Sequence, residues 1–331
     1  MRILIVKLSS LGDVVQTLPV LHDLAQAFPG VAIDWVVEES FASLIRDLPA
    51  IDRTLVYAQR RWRKAPLNAT VRAERRVFFD RLNEYAYDAV LDCQGLIKSA
   101  WVARHARLVP GGFSATFGNA SELCGYEWPV RFLLNRSIAM PWQVHAVQRT
   151  RLLAASALGY LEAPWVLQTP QYPFQPEASA VERQGVWLSH GTTRPDNEWP
   201  RVNWLDLARR LIDAGDSVLV PQASPKEDEW AQKLVQEAGS AAQVLPRLSL
   251  DALWPRMAGA RGVISVDSGL GHLAVALNLP VVQLFSQDRI RRAGPLGRPY
   301  QTAIGGTNVP TVDQAWQAWR QCLQAKQNEA L

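Results

Sequence analysis

Cysteine is scarce in this 331-residue chain: only Cys93, Cys124 and Cys322 occur, odd in number and far apart. That pattern excludes a disulfide framework and a Cys-x-x-Cys metal knuckle, and it points to a reducing cytoplasm. No apolar run approaches the roughly 18 residues of a spanning helix. The opening run Met1 to Lys7 is too short for a signal peptide and reads as a first strand. Asp-x-Asp is absent, so a divalent metal on a diphosphate is not implied. Gly-x-x-x-x-Gly-Lys-Ser/Thr is absent as well, and no serine or cysteine nucleophile motif stands out. The five histidines, His22, His105, His145, His190 and His272, show no metal-ligand spacing. Short-period repeats and low-complexity tracts are missing.

What is present is ordinary globular composition, 48% hydrophobic and 20% charged, over a length that suggests two domains. The thirteen tryptophans read as core and rim packing. Charge is uneven: residues 1–160 hold 19 Lys+Arg against 14 Asp+Glu, and the remainder holds 16 against 17. The basic excess of the first half suits an anionic partner.

Strands are expected at 2–8, 31–37, 53–57, 88–92, 185–189, 217–220, 244–245, 263–266 and 280–285. Helices are expected between them, among them 15–24, 72–83, 146–158, 204–214, 250–258 and 312–325. Such alternation indicates βαβ units and parallel sheets. Residues 108–142, rich in Gly, Pro and aromatics, carry no regular pattern. The Pro-rich piece 164–176 reads as a linker between domains 1–163 and 177–331. The expected architecture is two doubly wound Rossmann-like α/β domains facing an interdomain cleft.

The most informative stretch is Gly262 to Ala274, a buried strand, a glycine turn and the start of a helix. Ser268 can cap that helix, while Gly269 and Gly271 let another group approach the backbone. A helix N-terminus with free amides is an anion site, and the usual anion is a phosphate. Gly269-Leu270-Gly271-His272-Leu273-Ala274 also matches the dinucleotide fingerprint, but at a late strand instead of the first βα unit. The other polar loops follow strands too: Ser9 to Asp13, Gln94 to Lys98, Thr192 to Asn197, and Ser224 to Glu227. Asp13 is either a first-turn acid on the helix dipole or a base for an acceptor hydroxyl. Arg60-Arg61-Trp62-Arg63-Lys64 is a solvated loop or an anion-binding run. Five residues do not make a nucleic-acid surface.

Together these residues resemble the bacterial lipopolysaccharide heptosyltransferases, glycosyltransferase family 9. The resemblance runs nearly end to end: Arg2 to Lys7 with Ser10 to Val14, Arg60 to Lys64, Asp92 to Ser99, Thr192-Thr193-Arg194 with Trp199-Pro200, and Ser265 to Leu273. It implies a GT-B fold and a metal-independent, inverting transfer of heptose from ADP-heptose, with no cofactor, to a Kdo residue of Kdo-lipid A. Asp13 is implied as the base. Thr192, Thr193, Arg194, Asn197, Glu227, Leu248, Asp267, Ser268, Gly269 and His272 are implied on the donor side. Ser10, Gly12, Arg60, Arg61, Arg63, Lys64, Gln94 and Lys98 are implied on the acceptor side.

The chain departs from the family in two places. Asn197 stands where a lysine is usual, with Arg194 or Lys7 as the stand-ins the sequence offers. Tyr126-Glu127-Trp128 replaces an Arg-Glu-Pro segment. A transferase for another nucleotide sugar, or a sugar-nucleotide binder without catalysis, is the alternative; retained Asp13 argues against the binder. The expected setting is a monomer at the cytoplasmic face of the inner membrane, touching anionic lipid peripherally, with no nucleic-acid partner. The final helix is expected to pack back on the N-terminal domain.

Overall fold

A computed structural model describes residues 1–174 and 184–329. The chain divides into two units, Met1–Pro173 and Phe174–Leu331. The first unit holds β1 (Arg2–Val6), β2 (Ala32–Glu38), β3 (Arg53–Tyr57), β4 (Tyr87–Asp92), β5 (Leu108–Phe117) and β6 (Arg136–Ile138). They form one sheet in the order β3-β2-β1-β4-β5-β6, with every pair parallel. The second unit holds β7 (Val186–Ser189), β8 (Val218–Val220), β9 (Ala242–Val244), β10 (Gly262–Val266), β11 (Val281–Phe285) and β12 (Gln301–Gly305). Their order is β12-β11-β10-β7-β8-β9, again all parallel.

Counted from the first strand of each unit, both sheets run 3-2-1-4-5-6, the doubly wound order. The central strands are largely apolar because helices cover both faces of a parallel sheet. Ile3, Leu4, Ile5 and Val6 in β1, and Val263, Ile264 and Val266 in β10, have no exposed surface. In this order the chain reverses direction between β1 and β4, and again between β7 and β10. Loops leaving the carboxyl ends of those strands diverge there and open a crevice, which is where such sheets bind ligands.

Three expectations need correction. Residues 108–142 are not irregular throughout: β5 is ten residues long and bridges β4 to β6. Its pattern is hidden by Pro110-Gly111-Gly112, which accommodates a register shift opposite Tyr87 and Ala89. Gly111 has φ +83°, and a Cβ on Gly112 would sit 2.7 Å from the Tyr87 carbonyl. These are bulge glycines. Second, the expected helix 15–24 is two helices, Leu11–Thr17 and Pro19–Ala27. Pro19 lacks the N–H that would continue the first. Third, β12 was not expected as a strand; it is only half-buried and has no apolar run.

The piece read as a linker begins as a 3-10 turn, Pro164–Leu167, on the helix Ala146–Leu158. Arg151 holds it there by donating to the Trp165 and Gln168 carbonyls. Residues 175–176 of that piece lie outside the described residues. The final helix, Val312–Glu329, packs on the helix Arg201–Asp213 and on β11 and β12 of its own unit. Trp319 fits where a Cβ on Gly262 would have collided with its ring.

Candidate active site

In the second unit, β10 ends at Val266 and the helix Gly269–Ala276 starts three residues later. Ser268 caps it, its hydroxyl accepting from the Gly271 amide at 3.3 Å. Gly271 permits a close approach: a Cβ there would stand 2.3 Å from the Ser265 hydroxyl. The helix start is thereby pressed onto the sheet, leaving its first amides at the switch point.

Asp267, just before the cap, is the hub. His272 Nε2 lies 3.4 Å from its Oδ1, and the Asn197 amide donates to its Oδ2 at 3.3 Å. Arg289 Nη1 is 3.9 Å from Oδ2. Burial opposes ionisation of this carboxyl, yet His272, Arg289 and Arg292 together hold it below the usual carboxylate range. Gln283, on β11, reaches His272 Nδ1 at 3.4 Å.

Around this hub several buried polar atoms have no partner among the described residues: Ser189 Oγ, Asn197 Oδ1, Ser265 Oγ, Gln283 Oε1 and Arg289 Nε. Ser189, Ser265 and Gln283 are direct neighbours in register across β7, β10 and β11. Buried polar groups are nearly always paired, so their concentration at one place marks a site built for a polar ligand.

The remaining donor-side residues fall around this centre. Thr192 accepts from the Arg194 amide at 3.2 Å, and Thr193 is exposed beside it. Arg194 is engaged by both oxygens of Asp196, at 3.2 and 2.8 Å. Glu227 caps its own loop by accepting from the Ala223 amide at 2.8 Å, and its carboxyl faces Gly191, where a Cβ would come within 3.1 Å. Leu248 follows β9, half-buried at the far edge of the sheet. Ser286 and Gln287 tie the loop after β11 to the Glu198 and Asp196 carbonyls. The sequence reading missed Arg289, Arg292, Gln283, Ser265 and Ser189. Only the position of Gln287 to Arg292 after an apolar strand could have flagged the two arginines.

The corresponding place in the first unit is furnished differently. Gln94, after β4, accepts from the amides of Leu8 and Ser9 at 2.8 and 3.2 Å, joining the two switch-point loops. Asp92, fully buried, accepts from the Gln94 and Gly95 amides and from Thr116. Lys7 donates to the Cys93 carbonyl at 3.0 Å, and Lys98 to the Ser9 hydroxyl at 3.2 Å. Asp13, in the first turn of Leu11–Thr17, accepts from the amide and hydroxyl of Ser10 at 2.9 and 2.7 Å. The structure therefore gives Asp13 a capping contact at the mouth of the crevice, with Gly12 buried behind it.

Residues 60–64 are not simply a loop. Gln59–Trp62 is a short helix, and Trp62 packs on Tyr57 and Phe78 with its indole donating to Glu74. With 6% exposure that ring cannot stack on a base. Arg61 is paired with Glu39 and Glu74, whereas Arg63 and Lys64 are solvent-exposed. The backbone of Arg60 meets Glu38, a buried acid that the sequence reading missed. Burial raises the Glu38 pKa and lowers that of Lys98, with Arg60 acting on both. Arg60 and Lys98 thus belong to one electrostatic cluster with Glu38. Of the two stand-ins for a lysine at position 197, Lys7 donates to the Cys93 carbonyl and Arg194 pairs with Asp196 at the surface.

Fold and site together define a two-unit, doubly wound α/β protein whose second unit gathers unpaired polar groups beside a helix N-terminus at its switch point. Residues 75–318 match the family model described as glycosyltransferase family 9 (heptosyltransferase). The chain is 42% identical over 302 residues to lipopolysaccharide heptosyltransferase 1 of Pseudomonas aeruginosa, covering 90% of this chain and 82% of that one. It is 41% identical over 289 residues to the protein of that name from Escherichia coli K12, covering 86% and 88%. Among solved structures, E. coli heptosyltransferase WaaC with ADP matches with a TM-score of 0.81 and 36% identity, over 100% of this chain and 99% of that one. E. coli ADP-heptose lps heptosyltransferase II matches at 0.76 and 21% identity, over 99% and 100%, a likeness of fold. The chain belongs to glycosyltransferase family 9, the heptosyltransferases, and its fold is of the GT-B class.

Proposed function

We propose that the chain transfers heptose from ADP-heptose to a Kdo residue of Kdo-lipid A in lipopolysaccharide inner-core synthesis. The observation that carries this reading is the unpaired polar cluster at the β7–β10 switch point, beside a helix N-terminus, in a chain of this family. The acceptor oxygen attacks the anomeric carbon while the bond from that carbon to the ADP oxygen breaks. The proton of the acceptor hydroxyl goes to Asp13, and the electron pair of the broken bond leaves with ADP. One displacement of this kind inverts the anomeric centre.

Charge developing on the leaving diphosphate is met by fixed donors of the protein, the amides around Ser268 and Gly269 and the cations around Asp267; this is why the reading invokes no metal. Glu227 and Leu248 take the nucleoside. Gln94, Lys98, Arg60, Arg63 and Lys64 face the anionic acceptor.

The lipid-linked acceptor places the first unit at the cytoplasmic face of the inner membrane. No helix among the described residues is long and apolar enough to cross a membrane. Contact is therefore peripheral, and an exposed surface of the first unit suits it. Ile97 and Trp101 share one face of the helix Ile97–Arg104, which packs against the turn Trp128–Phe132. Trp128 is 68% and Phe132 64% exposed, with Arg131 stacked on Phe132 and Arg104 bound to the Leu133 carbonyl. Aromatic rings flanked by arginine fit an anionic lipid interface.

The test is ADP release from ADP-heptose, with and without Kdo-lipid A, for the wild type, Asp13→Ala and Asp13→Asn. Acceptor-dependent release that collapses in both variants is expected. Release from another nucleotide sugar alone would replace the donor assignment. Binding without release under any acceptor would leave a sugar-nucleotide binder.

A further inference from the structure

Arg289 follows β11 and is 8% exposed. Its Nε has no hydrogen-bond partner among the described residues, and neither has that of Arg292. Its nearest carboxylate, Asp267, is 3.9 Å away, beyond hydrogen-bond distance, and already serves His272 and Asn197. Arg194, the other cation of this corner, is taken by Asp196. Two guanidinium groups are thus left facing one shared carboxylate. Burial, then the repulsion of Arg292 and Arg194, lowers the Arg289 pKa, so positive charge here lacks its full complement.

The order of the strands says where along the sheet an anion would meet these groups. Along the carboxyl edge the sheet runs β9, β8, β7, β10, β11. Leu248 and Glu227 follow β9 and β8, Thr192 follows β7, Ser268 follows β10, and Arg289 follows β11. If the nucleoside sits at Glu227 and Leu248, as the proposed function has it, the phosphates extend past β7 and β10 toward β11.

We propose that Arg289, backed by Arg292, is a ligand of the second phosphate of the nucleoside diphosphate, the one bonded to the departing sugar. In the free protein it leans on Asp267; with the diphosphate bound its guanidinium turns to the phosphate oxygens. The same charge then stabilises the leaving group as the glycosidic bond breaks. This inference rests on the donor reading above.

The test is calorimetric binding of ADP and AMP to the wild type, Arg289→Gln and Arg289→Lys. A charge-assisted contact of this kind predicts that Arg289→Gln loses ADP affinity roughly 10- to 100-fold while AMP affinity stays near wild type. Arg289→Lys restores part of it, because charge is kept and the fork is lost. Unchanged AMP binding doubles as the check on folding. If AMP binding falls too, the lysine variant decides: recovery of ADP binding supports the proposal, and loss of both nucleotides overturns it. ADP affinity of Arg289→Gln within twofold of wild type also overturns it. The transferase reading fails separately. Arg289-dependent ADP binding without acceptor-dependent release leaves the phosphate ligand standing, whereas a wild type that binds neither ADP, UDP nor GDP sinks both.

Discussion

The two sheets share one strand order and one switch-point geometry, yet their crevices are finished in opposite ways. At the first, the groups named above answer one another within the protein: Asp92 takes three donors, Gln94 spans two loops, and Lys7 and Lys98 each have an oxygen. At the second, five buried polar atoms around Asp267 are left unanswered. A scaffold of the same topology can thus present a self-satisfied platform that aims one carboxylate, or a cavity whose polar inventory is completed by a ligand. In the function proposed above, the first serves positioning and the second binding.

That contrast can be broken by experiment. The largest effect is expected at Asp13. Asp13→Asn keeps the size of the side chain beside Ser10 but removes the base, so turnover should fall about 10²- to 10⁴-fold with the melting temperature nearly unchanged. An equal fall in stability would reduce Asp13 to a helix cap. Next comes Asp92→Ala, which strands three buried donors and should cost about 3 kcal/mol or more in denaturant unfolding. Its counterpart Ser265→Ala removes a hydroxyl with no partner among the described residues and should change stability by less than about 1 kcal/mol in either direction. If the two variants cost the same, the distinction between the crevices collapses.

A third effect is pH-dependent. Burial lowers the His190 pKa to about 4. The unfolded chain, with an ordinary imidazole, takes up its proton first as pH falls. Stability present at neutral pH is therefore lost progressively between about pH 6.5 and 4, by about 3 kcal/mol in all. His190→Phe should keep the stack on Trp230, whose ring centroid lies 3.7 Å away, and flatten that loss. Acid titrations of the two proteins, followed by thermal melting, decide it. A fourth effect is local. ADP at 100 times its dissociation constant should add about 2.7 kcal/mol, seen as slower amide exchange in loops 189–197, 266–272 and 285–292. Loops 8–13 and 93–98 should be unaffected.

Much of this was legible from apolar runs. Ile3 to Val6 and Val263 to Val266 announce strands buried on both faces, and the loops that follow them are the loops that line the crevices. What stayed hidden has local causes. Gly111 and Gly112 read as loop residues because a bulge needs the same freedom as a turn. The strand at Gln301–Gly305 lies at a sheet edge and never forms an apolar run. Arg289 is spelled like a solvated turn, with Asp288 before it and two more arginines after Ile290; its burial depends on packing that no local pattern records. Trp62 reads locally as one member of a cationic run, and its role as the anchor of its own helix shows only in its packing on Tyr57 and Phe78.

Parallel pairing also sets how the chain acquires this form. Neighbouring parallel strands cannot be joined by a tight turn, so neither sheet contains a hairpin to nucleate it. The bond from Lys7 to Cys93 that closes the first crevice joins residues 86 positions apart. The polypeptide must reach Cys93 before its first strand can complete its neighbourhood, and loop closure over that distance is slow. During synthesis, β1 emerges long before β4, with its apolar faces uncovered. Folding of the first unit is therefore expected to be late and slow relative to translation of its first strand, a vulnerability to aggregation that comes with the topology itself.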